Sequence, residues 1–255
     1  MHDKQAASSG VTLASPLRWL ARGWLDLRDA PLPGLVHGLC ASLFGALLFA
    51  VAGQRFWLLA GAFSGFMLVA PVLATGLYLV SRGLEQGRLA GLGEVIALWR
   101  GRDSRLVAFG LLLGLAGTGW VLTSASLLTL LTPEPINSLS DFLRHVVLAD
   151  SPFLFELWML LGGLLAAPVF ASSVLTLPML VDRDCSLWSA VRASWRAVAD
   201  HPVVMAWWAI LIVLLVMLGL LTWLIGLLVV VPLLGHASWH AYRELSAGAS
   251  AEEGR

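Results

Sequence analysis

Phe56 to Val80 reads FWLLAGAFSGFMLVAPVLATGLYLV, 25 residues without a charge, closed by Ser81-Arg82. Wound as a helix it is about 37 Å long, enough to cross a bilayer with tilt. Its grammar, a proline late in an apolar run and then an arginine, recurs twice: APVFASSVLTLPMLVDR from Ala167 to Arg183 and VPLLGHASWHAYR from Val231 to Arg243. From Pro71 and Pro232 the arginine is the eleventh residue; from Pro168 it is the fifteenth. The pattern predicts an all-α polytopic membrane protein with a threefold internal repeat.

Composition agrees. Of 255 residues, 58% are hydrophobic and 13% charged, too apolar for an ordinary soluble domain. Outward from the central stretch, apolar runs predict six spans: 34–52, 56–80, 106–131, 153–181, 203–218 and 220–237. The last two come from one 36-residue run, Pro202 to Ala237, too long for one helix across the bilayer and divided near Gly219-Leu220; the alternative, a single span there, gives five crossings and puts Arg243 and Arg255 outside. The chain thus reads as one membrane domain, 15–245, between disordered tails 1–14 and 246–255. The first span reads as an uncleaved signal anchor.

Charge patterning orients the spans. With six crossings and a cytoplasmic N-terminus, fourteen of the sixteen Lys and Arg fall inside, and only Arg55 and Arg144 outside. The expected location is a bacterial inner membrane, with both termini cytoplasmic.

Each helical hairpin is introduced by an interfacial helix. Ser15-Pro16 reads as N-cap and first turn of one, with Leu17, Leu20, Trp24 and Leu27 on a common face. Ser186 to Asp200 is another, with Leu187, Val191, Trp195 and Val198 sharing a face. Tryptophan-aspartate pairs, Trp24 with Asp29, Trp99 with Asp103 and Trp195 with Asp200, mark the three helices.

Small residues at helical spacing, Gly34/Gly38, Gly61/Gly65, Gly110/Gly114, Gly162/Ala166 and Gly163/Ala167, suit close helix packing in lipid. Pro71, Pro168 and Pro232 are expected to kink their helices, and three kinks at similar depth are candidates to line a cavity. Ser124, Ser126, Thr129, Ser172, Ser173 and Thr176 are candidates for a weakly polar lining. His37, His236 and His240 are weak candidates for binding haem or another cofactor, although His236 and His240, four apart on one face, cannot sandwich a haem alone and no supporting carboxylate lies in the spans. No metal spacing, catalytic motif or phosphate loop is present, and Cys40 and Cys185 fall at different depths. No ionisable side chain lies well inside a span, which weighs against ion coupling.

Three segments, WLARGWLDLRDAP (Trp19 to Pro31), SGFMLVAPVLATGLYLVSRGLEQG (Ser64 to Gly87) and PLLGHASWHAYREL (Pro232 to Leu245), resemble a mainly proteobacterial family of predicted integral membrane proteins of unknown function. The resemblance implies an inner-membrane location and a single six-helix domain, and supplies no activity. The expected function is a non-enzymatic accessory, assembly or scaffold component without cofactor or metal. The alternative is a permease-like or lipid-handling protein with a cavity between kinked helices. Expected partners are membrane lipids and a membrane protein or a second copy, not nucleic acid.

Overall fold

The computed structural model describes residues 10–52, 56–101, 103–132, 134–148 and 153–252, which are helical throughout apart from turns and short connections. Three times along the chain an amphipathic helix is followed by an apolar helix and then by a helix bearing one of the three prolines. The first set is α1 (Ser15–Asp29), α2 (Pro31–Ala52) and α3 (Phe56–Leu73) continued by α4 (Thr75–Glu85). The second is α5 (Leu92–Arg100), α6 (Ser104–Leu131) and, after the four-residue α7 (Leu139–Phe142) and a π-turn (Leu143–Val147), α8 (Leu154–Ser173) continued by α9 (Thr176–Asp182). The third is α10 (Leu187–Asp200), α11 (Pro202–Leu221) and α12 (Leu227–Glu252).

Packing follows this order cyclically. Each amphipathic helix lies on the proline-bearing helix of the set before it: α5 on α4, α10 on α8 and α9, and α1 on α12. The arginine-bearing ends α4, α9 and α12 meet one another at the centre. There Asp182 accepts a 2.7 Å bond from the Tyr242 hydroxyl and pairs with Arg82 Nε at 3.3 Å, while Arg243 pairs with Glu85 at 3.2 Å. The arginines eleven residues after Pro71 and Pro232 therefore tie the three sets together.

Among the described residues four stretches are long and apolar enough to cross a membrane: Pro31–Val51, Ser104–Leu131, Leu154–Asp182 and Pro202–Leu221. The 36-residue run divides, as expected, but at Thr222 to Gly226 instead of Gly219-Leu220. Trp223 and Leu224 take left-handed backbone (φ 57° and 69°) there, and the Leu224 carbonyl accepts from Ser42 Oγ at 2.9 Å. Such a conformation costs roughly 1–3 kcal/mol for a non-glycine residue, and the Ser42 bond and the seating of Leu224 over Gly45 offset it. At the C-terminus α12 runs to Glu252, so residues 246–252, expected as part of a disordered tail, are helical.

The prolines act unequally. Helix α3 breaks at Ala74 after Pro71, and α8 breaks at Val174-Leu175 after Pro168, whereas α12 continues through Pro232. At the second break the Ser194 hydroxyl bridges the opened helical pair, accepting from Leu175 N–H (3.1 Å) and donating to the Ala171 carbonyl (2.6 Å). Gly23 holds the matching place in α1, one residue before the tryptophan. Its missing side chain lets α1 close on α12, where a β-carbon would sit 2.7 Å from Ala237 N.

The faces differ from the expected ones accordingly. Helix α1 buries Trp19, Gly23 and Leu27, while Leu17 and Trp24 stay exposed. Ser15 is its first helical residue, not its N-cap, and its hydroxyl donates to Glu244 at 2.6 Å. Helix α10 buries Ala190 and Ser194 and exposes Trp195.

Of the small-residue pairs, Gly34 and Gly38 both receive α12. A β-carbon at Gly38 would sit 2.5 Å from the Leu228 carbonyl oxygen. Gly162 meets Trp120, whereas Gly114 and Gly163 face open space, and the Gly65 side of its pair lies outside the described side chains. Gly38→Val should therefore cost about 1–3 kcal/mol by overpacking and lower the melting temperature in detergent, and Gly114→Val should leave it unchanged. Equal melting of the two variants would contradict the α2–α12 contact.

Candidate functional site

Where α1, α2, α4 and α12 converge, polar side chains are buried at the arginine-rich end. His236 is fully buried, Ser81 likewise, and His37 and His240 are each 8% exposed. Ser81 Oγ donates to Asp26 Oδ2 at 2.6 Å, and His240 Nε2 lies 2.9 Å from the same oxygen. His236 Nδ1 lies 2.8 Å from Ser81 Oγ, and His37 Nδ1 lies 2.7 Å from the Pro33 carbonyl.

Counting protons assigns the tautomers. The single hydroxyl proton of Ser81 is committed to Asp26, so His236 Nδ1 must donate to Ser81. His240 Nε2 donates to Asp26, and His37 Nδ1 donates to Pro33. In a neutral ring this leaves the Nε2 lone pair of His236 free. His236 Nε2 has no protein hydrogen-bond partner among the described residues, whereas the His37 ring also interacts with the Leu73 backbone. Glycines face both: a β-carbon at Gly76 would sit 2.8 Å from His37 Nε2, and one at Gly34 3.8 Å from His236 Nε2.

The sequence named these three histidines but missed what joins them. Asp26 is the supporting carboxylate that the spans lack, brought in from α1 because Gly23 lets that helix close on α12. Although Ser81, His236 and Asp26 are a serine, a histidine and an aspartate, their wiring is not that of a hydrolytic triad. There the histidine takes the serine proton and the carboxylate holds the other ring nitrogen; here serine sits between histidine and carboxylate. His240 has its Nε2 engaged by Asp26.

The position four residues after each proline separates this set from the others. In the first it is Thr75, which accepts from Trp99 Nε1 at 3.2 Å; in the second it is Ser172, which accepts from Trp195 Nε1 at 2.9 Å. In the third it is His236. Trp24, the counterpart tryptophan, is 46% exposed and leaves that ring to the buried network.

A second polar cluster closes α1 onto α12. Glu244 accepts from Ser15, from Arg18 Nη2 (2.7 Å) and from Trp19 Nε1 (3.0 Å). Burial raises the Glu244 pKa, but the three donors together outweigh it and hold the carboxyl below its usual value. Beside it, burial and then the Asp182 carboxylate push Tyr242 up to about 12.

Pro168 faces outward, Pro232 is buried against α2 at Gly34, and the Pro71 side chain lies outside the described residues. A cleft of about 290 Å³ lies at the opposite end, lined by Trp57, Thr129, Thr132, Glu134 and Asn137 among others. Of the other candidate lining hydroxyls, Ser124 accepts from Trp158 across helices, while Ser173 donates to the Val169 carbonyl and Thr176 to the Ser172 carbonyl within their own chain turn.

Residues 58–182 match the profile of a family described as predicted integral membrane protein (DUF2189). With four apolar helices of spanning length, that decides the class. The chain is an integral membrane protein. The match covers just under half of it and includes the SGFMLVAPVLATGLYLVSRGLEQG segment, but neither of the other two segments carrying the resemblance. No curated protein and no solved structure matches the chain.

Glu244 supplies a test of the α1 contact. Its folded pKa is lowered, so its contribution is present above the unfolded value and is lost as pH falls through the folded one. Amide protection over 15–29, taken relative to the intrinsic exchange rate at each pH, should fall on acidification below the ordinary carboxylate range. Glu244→Gln should exchange faster at pH 7 and change less with acid. Because Arg18 is about one-third exposed, the cost should stay near 1–2 kcal/mol. Identical protection in the variant would show that this cluster does not hold α1.

Proposed function

We propose that the chain is a non-enzymatic accessory or scaffold component of a bacterial inner membrane, crossing it six times as three hairpins with both termini cytoplasmic. The fourteen-to-two distribution of basic residues supports that orientation. One observation carries the accessory reading. Helix α2 packs along α12 and α6 packs along α3, but no comparable seam joins α11 to α8. At the place in the cycle where a helix covers the other two proline-bearing helices, residues 163–168 of α8 are all exposed. Along α11, Val203, Ile210, Val213, Leu214 and Leu218 are more than half or about half exposed. A partner helix set between them would complete the third seam. The small residues Gly163, Ala166 and Ala167 would admit it closely.

The permease-like alternative has the cleft at Thr129 and Asn137 in its favour. That cleft is remote from Pro168 and Pro232, so a transport path through the kinked helices lacks support.

Photo-crosslinkers placed singly at Leu164 and Ala167 in cells should give one discrete protein adduct, while Leu111 on α6 gives none. Adducts to lipid alone at 164 and 167 would reject the accessory reading.

A further inference from the structure

We propose that the outward stripe of α10, formed by Trp188, Arg192, Trp195 and Arg196, docks anionic phospholipid at the arginine-rich face of the membrane. The described arginines of that end divide into two groups. Arg18, Arg82, Arg88, Arg105, Arg183 and Arg243 are each paired with a carboxylate of the protein. Arg22, Arg28, Arg100, Arg192 and Arg196 are exposed, and their side chains have no ion pair or hydrogen bond with a described residue. Every member of the second group lies on one of the amphipathic helices α1, α5 and α10. Each of these helices also exposes a tryptophan, Trp24 and Trp195 at 46% and Trp99 at 42%, and α10 adds Trp188 at 68%. The unbalanced cations and the exposed indoles therefore share the same three helices.

Spacing makes α10 the principal contact. At 3.6 residues per turn, Trp188, Arg192 and Trp195 (i, i+4, i+7) fall on one stripe, with Arg196 beside it. Arg192 and Arg196 are one turn apart, where like charges repel, and Asp200, the one acid of the helix, is ion-paired with neither. An anion between the two guanidinium groups relieves that repulsion, and a phosphodiester offers oxygens in the geometry that guanidinium donors fit. The indoles specify the rest of the ligand. Trp195 Nε1 donates to Ser172 Oγ of α8 at 2.9 Å, while the Trp188 indole N–H has no acceptor among the described residues. Exposed indoles belong at the headgroup level of a bilayer, and helix faces that combine tryptophan with arginine bind anionic lipid through both apolar contact and charge. Helix α10 is placed for this, since it lies on α8 and α9, the two halves of the spanning stretch Leu154–Asp182. A free phosphate would satisfy the arginines and leave the indoles uncovered; a phospholipid covers both. This site is separate from the open seam between α8 and α11, so it stands whether or not a partner helix fills that seam.

The test uses the full chain, purified in a mild nonionic detergent, stripped of lipid and titrated with an equimolar mixture of phosphatidylglycerol and phosphatidylcholine. Native mass spectrometry counts the adducts. Phosphatidylglycerol should be retained several-fold over phosphatidylcholine, since each arginine near anionic lipid contributes about fivefold. The double variant Arg192→Gln/Arg196→Gln should lose about fivefold or more of that preference. Arg192→Lys/Arg196→Lys should keep it, as should Arg144→Gln, which removes an exposed and unpaired arginine at the opposite end. A photo-crosslinker in place of Trp188 in cells should give lipid adducts, and this readout stands even where the double variant fails to fold. Equal retention of the two lipids, or a preference unchanged in the glutamine double variant, would overturn the proposal. So would an equal loss in Arg144→Gln. A discrete protein adduct at position 188 would also overturn it, making the stripe a protein interface.

Discussion

Helix α12 is approached from three sides at distances that only glycine permits, and the arrangement of the other helices depends on it. Gly23 brings α1 against Ala237 and Leu233, Gly38 brings α2 against Leu228, and Gly235 receives Leu77 of α4. In lipid, hydrophobic burial gives little preference for helix on helix over helix on acyl chain, so close van der Waals contact must supply the association. These contacts also have a chemical consequence. They bring α1 near enough for Asp26 to reach Ser81 and His240, and for Trp19 to reach Glu244. A side chain at position 23 would push Asp26 away and leave buried hydroxyl and imidazole protons without an acceptor, a loss of roughly 1–3 kcal/mol for each group.

The threefold pattern is clearest where it is broken. A helix interrupted by proline exposes backbone groups that must be satisfied locally. The second set does this with Ser194, while the first turns Thr75 back to the Val72 carbonyl at 2.6 Å. The third has no break and therefore no such need. At the place four residues after its proline, released from that duty, stands His236. Repeats that share a framework can diverge at positions that one copy no longer requires, and the buried network occupies such a position.

Much of this was legible in the sequence. Proline-to-arginine spacing reported the three equivalent helices, since the arginines must emerge where the apolar run ends and the charged ends meet. The long final run had to divide because a bilayer is about 30 Å thick. The place of division was not readable: nothing in Thr222-Trp223-Leu224 advertises left-handed backbone, and the glycine that attracts attention, Gly219, packs against Leu227 instead. The amphipathic faces were misplaced for a related reason. Hydrophobic periodicity found the residues that suit an interface, Leu17 and Trp24, while the protein-facing side of α1 is set by a small residue, Gly23, one turn after the fully buried Trp19. The histidines were visible as a group, but their connection through Asp26 is a tertiary contact more than two hundred residues apart in sequence, with no local signature.

The departures from symmetry fall at different places in the molecule, and that separation bears on how it works. The seam between α2 and α12 is the tight one, and the buried histidines lie beside it. The seam that would join α8 to α11 is absent, and there the exposed side chains are uniformly apolar. A polar site needs rigid walls, because each hydrogen bond at Asp26 and Ser81 depends on placement within a few tenths of an ångström. An association surface in lipid needs the reverse, a face whose own chain does not cover it. Dividing the two between separate seams lets one set of helices be close-packed while another stays open, within a framework whose three centres are held together at Asp182.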